Sequence, residues 1–410
     1  MFMHRESIHY PNISLSLIKT ITIMKKAFRM VLLLAMMLTT ANTMQGKTKG
    51  KTPRQQLLER LTKIQKKGYM YGHQDDPFYG ITWNWDERRS DTYELVGDYP
   101  AVMGFDLGGI EMGDAKNLDY VPFSRMRQEI IRQHERGGII TISWHPRNPL
   151  LGTTAWIQND TVAYHEAVKA LTQLRQYHLL KHLPNPKHTV KSVLEGGSHH
   201  ALYQTWLQRV KDFLCTLQDS KGRAIPFIFR PYHENNGSWF WWGQDNCSDA
   251  EYHALWNMTQ DYINETLGES IVWSYSPNLQ GNWTEEAWLV RYPGNERVDV
   301  IGEDAYQWGT EADFKSQLAA DLKLISTIAA KNGKLIALTE CGYKNSPDAT
   351  WWQRVMKPFM EQYPLCWYLP WRNYSKEHFG ASRDAKTAAD FAAWAKDKRH
   401  LFAKDIQKTK

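Results

Sequence analysis

The chain has 410 residues, enough for one large domain or two, and a 42% hydrophobic share supports a sizeable core. Its formal charge is +6, but the first 45 residues hold five Lys/Arg against one Glu. The remainder is nearly balanced, which excludes the basic footprint of a nucleic-acid-binding protein.

At the N-terminus, Met24-Lys25-Lys26 through Arg29 is a basic stretch, and Met30–Leu38 is a short apolar run. Small residues follow at Thr39–Thr43, with cleavage expected near Thr43 to Gly46. The apolar run is too short to span a bilayer, so a cleaved export signal is expected, with Met24 as the start. Residues 1–46 are therefore read as extension and signal, and residues 47–410 as one domain. The expected destination is the periplasm or the medium, with no membrane attachment after cleavage. Export permits disulfides, but sequence alone does not pair Cys215, Cys247, Cys341 and Cys366. Neither Cys-x-x-Cys nor His-Glu-x-x-His occurs, so no metal site and no cofactor are expected.

Gln55–Lys67 has helical apolar spacing. Eight strand-like apolar runs follow, each ending in polar or Gly residues: Tyr69–His73, Ala101–Leu107, Ile139–His145, Ile225–Tyr232, Ser270–Ser274, Val298–Asp304, Leu335–Glu340 and Cys366–Trp371. Between them lie helical patterns at Phe123–Arg136, Tyr203–Leu217, Ala250–Leu267 and Ala312–Asn332, and a polar helix is expected near Lys386–Phe402. Continuous apolar strands alternating with amphipathic helices imply parallel strands covered on the outside. Eight such units predict an α/β fold, a closed (β/α)8 barrel. An open doubly wound sheet is less supported, because no Gly-x-Gly-x-x-Gly follows the first strand. The longest insertion, Pro146–Gln204, contains a helical pattern over Thr161–His182 and should shape one end of a cleft.

In a barrel the C-terminal ends of the strands converge. That brings Glu234, in RPYHENNGSWFWWG, toward Glu340, in LTECG. Two carboxylates flanking one bond suit glycoside hydrolysis, with one as acid and the other as nucleophile or base. His233, Asn235 and the aromatic run Trp239–Trp242 form surroundings expected to raise the pKa of Glu234. Hydrogen bonds at a strand end are expected to keep Glu340 ionised. His145 in SWHP, Tyr306 in DAYQW and Trp371-Arg372 in PWRN join at other strand ends. Arg372 could instead pair with Glu303 or Asp304. His73, Gln74 and Asp106 are weaker candidates, and His199-His200 reads as a solvated pair. A carbohydrate-binding protein without catalysis needs no second carboxylate. A metal-dependent hydrolase using His145, His233 and Asp106 would need chelator-sensitive activity.

From about Gly68 to Arg372 the chain resembles glycoside hydrolase family 26, the β-mannanases. The most specific piece is RPYHENNGSWFWWG, similar to the family's R-P-x-H-E-x-x-G-x-W-x-W-W-G segment. The resemblance implies that Glu234 is the acid/base with Trp239 beside it, and that Glu340 is the nucleophile. It further implies that His145 contacts substrate and that His233 helps hold the nucleophile. Tyr306 would stand near the nucleophile, and Trp371 and Arg372 would line the glycone-side subsites. A metal-free retaining mechanism on β-1,4-mannan follows, endo-acting or exo-acting and mannobiose-releasing, in a monomer whose partner is the polysaccharide. β-1,3-xylan and mixed-linkage glucan are the minority substrates of such enzymes. Retention implies carboxyl groups roughly 5–5.5 Å apart. The loops Pro146–Gln204 and Asn278–Gly294 would decide subsite number.

Overall fold

The computed structural model describes residues 50–407, and the proposed signal, its cleavage region and the Met24 start lie outside them. One compact unit begins at Thr52; of the unit before it, only Gly50 and Lys51 are described. Eight parallel strands run in order: β1 (Tyr69–Gln74), β2 (Val102–Asp106), β3 (Ile139–Trp144), β4 (Phe227–Pro231), β5 (Ile271–Tyr275), β6 (Val300–Tyr306), β7 (Leu335–Gly342) and β8 (Leu365–Pro370). Each pairs with the next, and β1 pairs with both β8 and β2, which closes the barrel. Every expected strand is present, with its ends within two residues of the expected ones.

Side chains alternate between the two faces of a strand, and the two apolar clusters follow that alternation. Met70, Val102, Ile139, Ile228, Val272, Val300, Leu335 and Trp367 form one cluster inside the barrel. Leu57, Leu61 and Ile64, from the helix Pro53–Gln65, belong to the same cluster and plug the N-terminal mouth. Tyr71, Met103, Ile140, Phe229, Trp273, Ile301 and Leu338 face outward and pack against the helical shell. Moving up each strand by twos, the interior face turns polar: Asp106, Ser143, Arg230, Ser274 and Asp304. The barrel is thus sealed by hydrocarbon at one end and lined by hydrogen-bonding groups at the other.

Three elements differ from expectation. The helix expected over Thr161–His182 stops at Gln173, because Arg175 adopts φ +56°, and a short turn of helix resumes at Tyr177–Leu180. The polar helix expected near Lys386–Phe402 covers only Ala388–Trp394. After it, the two-residue strand β9 (His400–Leu401) pairs with the start of β1. There the buried His400 bonds the Tyr368 hydroxyl at 2.8 Å, so a residue that reads as polar serves the core.

Candidate active site

The β4 exit carries an unusual backbone. Tyr232 and Glu234 both adopt left-handed conformations, with φ +51° and +50°. Such residues cost on the order of 1–3 kcal/mol each and persist where the surroundings over-determine them. Tyr232 is held on three sides: its hydroxyl meets Tyr203 at 2.5 Å and Thr259 at 2.7 Å, and its carbonyl accepts from Tyr252 at 3.0 Å. The Glu234 amide donates to the Ser276 carbonyl at 2.8 Å. This turn swings the Glu234 side chain over the barrel mouth.

A β-bulge does the corresponding work on β7. Leu338 registers with Glu303, whereas Glu340, not Thr339, registers with Asp304. The extra residue puts Glu340 on the interior face beside Asp304, as bulges near active sites re-aim side chains.

A cleft of about 520 Å³ lies over these strand ends. Glu234, Glu340, His145, His233, Trp239, Tyr306, Trp371 and Arg372 all line it. His73 and Gln74 are buried elsewhere, and Asp106 lies beneath the cleft wall. Of the aromatic run, only Trp239 and Phe240 reach the cleft. Trp241 and Trp242 are fully buried and donate to the Pro146 and His233 carbonyls, so they brace the loop.

The two carboxyl groups have different surroundings. Trp239 Nε1–H donates to Glu234 Oε2 at 2.7 Å. Burial, then the charges of Glu340 and Asp304, push the Glu234 pKa well above the usual range, against the Trp239 hydrogen bond and Arg230. Glu340 receives one donor on each oxygen, Arg230 on Oε1 and the Tyr306 hydroxyl on Oε2 at 2.7 Å. The His233 ring stands 3.7 Å from Oε1. Burial opposes the charge of Arg230, but Asp304 and Glu340 outweigh it and keep the guanidinium protonated. Arg230 bonds Asp304 at 2.8 Å, and burial still pushes that acid up to about 7.

A histidine pair connects this centre to β2. His145 and His233 meet at 3.0 Å through their Nε2 atoms, and His145 Nδ1 meets Asp106 at 2.7 Å. Burial disfavours the His145 imidazolium, but Asp106 outweighs that and raises its pKa. Burial, with Arg230 and His145, takes His233 well below the usual imidazole range.

Arg372 pairs with neither Glu303 nor Asp304. Its Nε lies 3.2 Å from Asp119, because Arg230 already occupies Asp304 and Glu303 points toward Asp321 outside the barrel. His199 and His200 bond Ser198 and the Val193 carbonyl, and no three potential ligands cluster for a metal among the described residues. All four cysteines are free.

Sequence reasoning missed several residues of the site. Arg230, buried beneath the cleft, was visible only as a charge at the end of an apolar strand. Trp156 stacks on His145 with centroids 5.3 Å apart and planes at 11°, and Trp308 stacks on Tyr306 at 5.5 Å and 26°. Trp308 is 68% exposed. A tryptophan flanked by Gln and Gly two residues past Tyr306 was the available signal for it. Asp119, Glu377 and Phe379 come from loops without strand-end spacing, whereas Asn278 stands three residues past β5.

A family model described as glycosyl hydrolase family 26 matches residues 47–387. A mannan endo-1,4-β-mannosidase from Bifidobacterium adolescentis is 31% identical over 343 residues, 77% of this chain but 31% of its own length. The chain thus spans about a third of that relative. A mannan endo-1,4-β-mannosidase from Bacillus subtilis strain 168 is 26% identical over 76% of this chain and 75% of its own. The solved structure of a family 26 β-mannanase from Bacteroides ovatus superposes with a TM-score of 0.77 at 38% identity, covering 86% of this chain and 96% of that one. By the family match across most of its length, with this barrel and its strand-end carboxylates, the chain belongs to glycosyl hydrolase family 26.

Proposed function

We propose that the chain hydrolyses β-1,4-mannosidic bonds in mannan and galactomannan with retention of configuration. Glu340 attacks the anomeric carbon while Glu234 protonates the leaving oxygen; Glu234 then removes a proton from the water that releases the glycosyl-enzyme. The observation that carries this reading is the contrast between the two carboxyls. Glu234 is desolvated and pushed toward its acid form, whereas Glu340 is held by a guanidinium and a phenol, one on each oxygen. Acid and nucleophile roles separate when two carboxyls have surroundings this different. The substrate follows from the relatives named above, and Trp239, Trp371 and Trp308 offer flat faces that suit sugar rings. His145 and Arg372 are read as substrate contacts, His233 and Tyr306 as groups that hold Glu340. We also read the chain as an exported monomer, on the basic and apolar pattern of residues 24–38.

Product profiling tests this function. Residues 47–410 are incubated with β-1,4-mannan, galactomannan, β-1,3-xylan and mixed-linkage glucan, with chelator present. Manno-oligosaccharides from the first two support the reading. A ladder of sizes early on means internal cutting, and one dominant short product means cutting from chain ends. Products only from xylan or glucan overturn the substrate, and no products overturn the hydrolase.

A further inference from the structure

Asp106 is fully buried at the end of β2 and does not reach the cleft. It accepts from the Gly108 amide at 2.7 Å, from the Ser143 hydroxyl at 2.6 Å and from His145 Nδ1 at 2.7 Å. A carboxylate that only accepts requires a proton on that Nδ1. The other nitrogen of His145 faces His233 Nε2 at 3.0 Å, a gap that holds a single hydrogen. His233 Nε2 is also 3.7 Å from Glu340 Oε1, and its Nδ1 is buried with no hydrogen-bond partner among the described residues.

We propose that Asp106 is a positioning residue: by fixing one proton on His145 Nδ1, it decides which imidazole donates in the His145–His233 bond, and so what His233 turns toward Glu340. The proposal rests on reading Glu340 as the nucleophile. Two states are available. With His145 protonated, its Nε2–H donates to His233, whose own proton sits on Nδ1 and whose Nε2 lone pair is engaged. With His145 neutral, its bare Nε2 would face another bare nitrogen, so the His233 proton moves to Nε2 and points into the gap shared by His145 and Glu340. One proton lost from His145 thus switches the tautomer of His233.

The charged and titratable groups facing this pair are few. His145 meets Asp106 at the end of β2, Asp119 from the following loop, Arg230 and His233 from β4 and its exit, and Glu340 from β7. His233 meets Arg230, His145 and Glu340. Asp106 and Glu340 favour the imidazolium of His145, whereas burial and Arg230 oppose it. Removing the Asp106 charge leaves burial dominant.

The test is a pH titration of the histidine side chains by ¹⁵N NMR on the full chain without substrate, for the native protein and Asp106→Asn. In the native protein His145 should keep its Nδ1 proton throughout and titrate above the usual imidazole range. His233 should change from the Nδ1–H to the Nε2–H tautomer at the same midpoint. In Asp106→Asn the His145 midpoint should fall by about one pH unit or more. The kcat/KM on mannan should fall about tenfold or more. A His233 tautomer that ignores the His145 titration overturns the proposal on the native protein alone, even if the variant fails to fold. So does an unmoved His145 midpoint in Asp106→Asn, whatever its activity. Because the titration needs no substrate, it stands apart from whether mannan is hydrolysed.

Discussion

At the residue scale, each carboxyl of the centre is held by its own hydrogen-bond donors. For Glu234 the donor is Trp239, whose indole N–H bonds the carboxyl and favours its ionised form. A general acid must start protonated, so kcat/KM should fall as pH rises through the elevated Glu234 pKa. Trp239→Phe removes the bond that lowers this pKa, so the alkaline limb should move to higher pH; a pH profile of kcat/KM checks it, and movement to lower pH contradicts it. For Glu340 the neighbours are Arg230 and Tyr306. Glu340→Ala should cut kcat by at least about 10⁴-fold, because the covalent step is lost. Calorimetry should show oligosaccharide binding retained. Much of this scale was legible beforehand, because Glu234, Glu340 and five of the other six candidates stand at strand ends that a barrel brings together, and Trp239 follows in the loop after β4. The partner of Arg372 was not legible, since choosing Asp119 over Asp304 depends on Arg230 having taken Asp304.

At the element scale, the loop from Tyr232 to Cys247 carries both the proposed acid and its tryptophan, yet has no regular structure to hold it. Arg291 does that work. Its guanidinium donates to the carbonyls of Asn235 at 3.0 Å, Trp242 at 3.3 Å and Cys247 at 2.7 Å, and to Asp249 at 2.7 Å. Arg291→Met removes these four charge-assisted bonds at once and should cost about 2–4 kcal/mol. Because Trp239 loosens with the loop, kcat/KM should fall as well. Denaturant unfolding and steady-state kinetics on one preparation check both, and a destabilised variant with full kcat/KM would detach the loop from the chemistry. The strands were readable because buried parallel strands are continuous apolar runs. The insertion was less so. Apolar spacing runs through Leu174 and Leu180, but the single left-handed Arg175 breaks the helix, and neither of its flanking residues announces this. The strand β9 carries two residues, too few for any periodicity.

At the scale of the whole molecule, the barrel separates stability from chemistry along its axis. Hydrocarbon from eight strands and the plugging helix fills one end. The other end concentrates ionisable groups whose burial would be costly unless paired. Arg230 is the hub of that pairing, joining Asp304 and Glu340 across three strands. Family membership and fold were legible because they rest on a contiguous motif and on repeated apolar runs. The cleft walls were not, since Trp156, Trp308 and Phe379 come from connections whose course only the closed barrel fixes. The chemistry proposed is a double displacement, with Glu340 attacking from one face of the sugar and Glu234 acting as acid and then base from the other. Proton NMR of the anomeric signals during the first minutes of manno-oligosaccharide hydrolysis tests it most directly. The account predicts that the new reducing end appears first as the β-anomer and only later equilibrates. An α-anomer at the outset would mean single displacement by water, and would contradict the role given to Glu340.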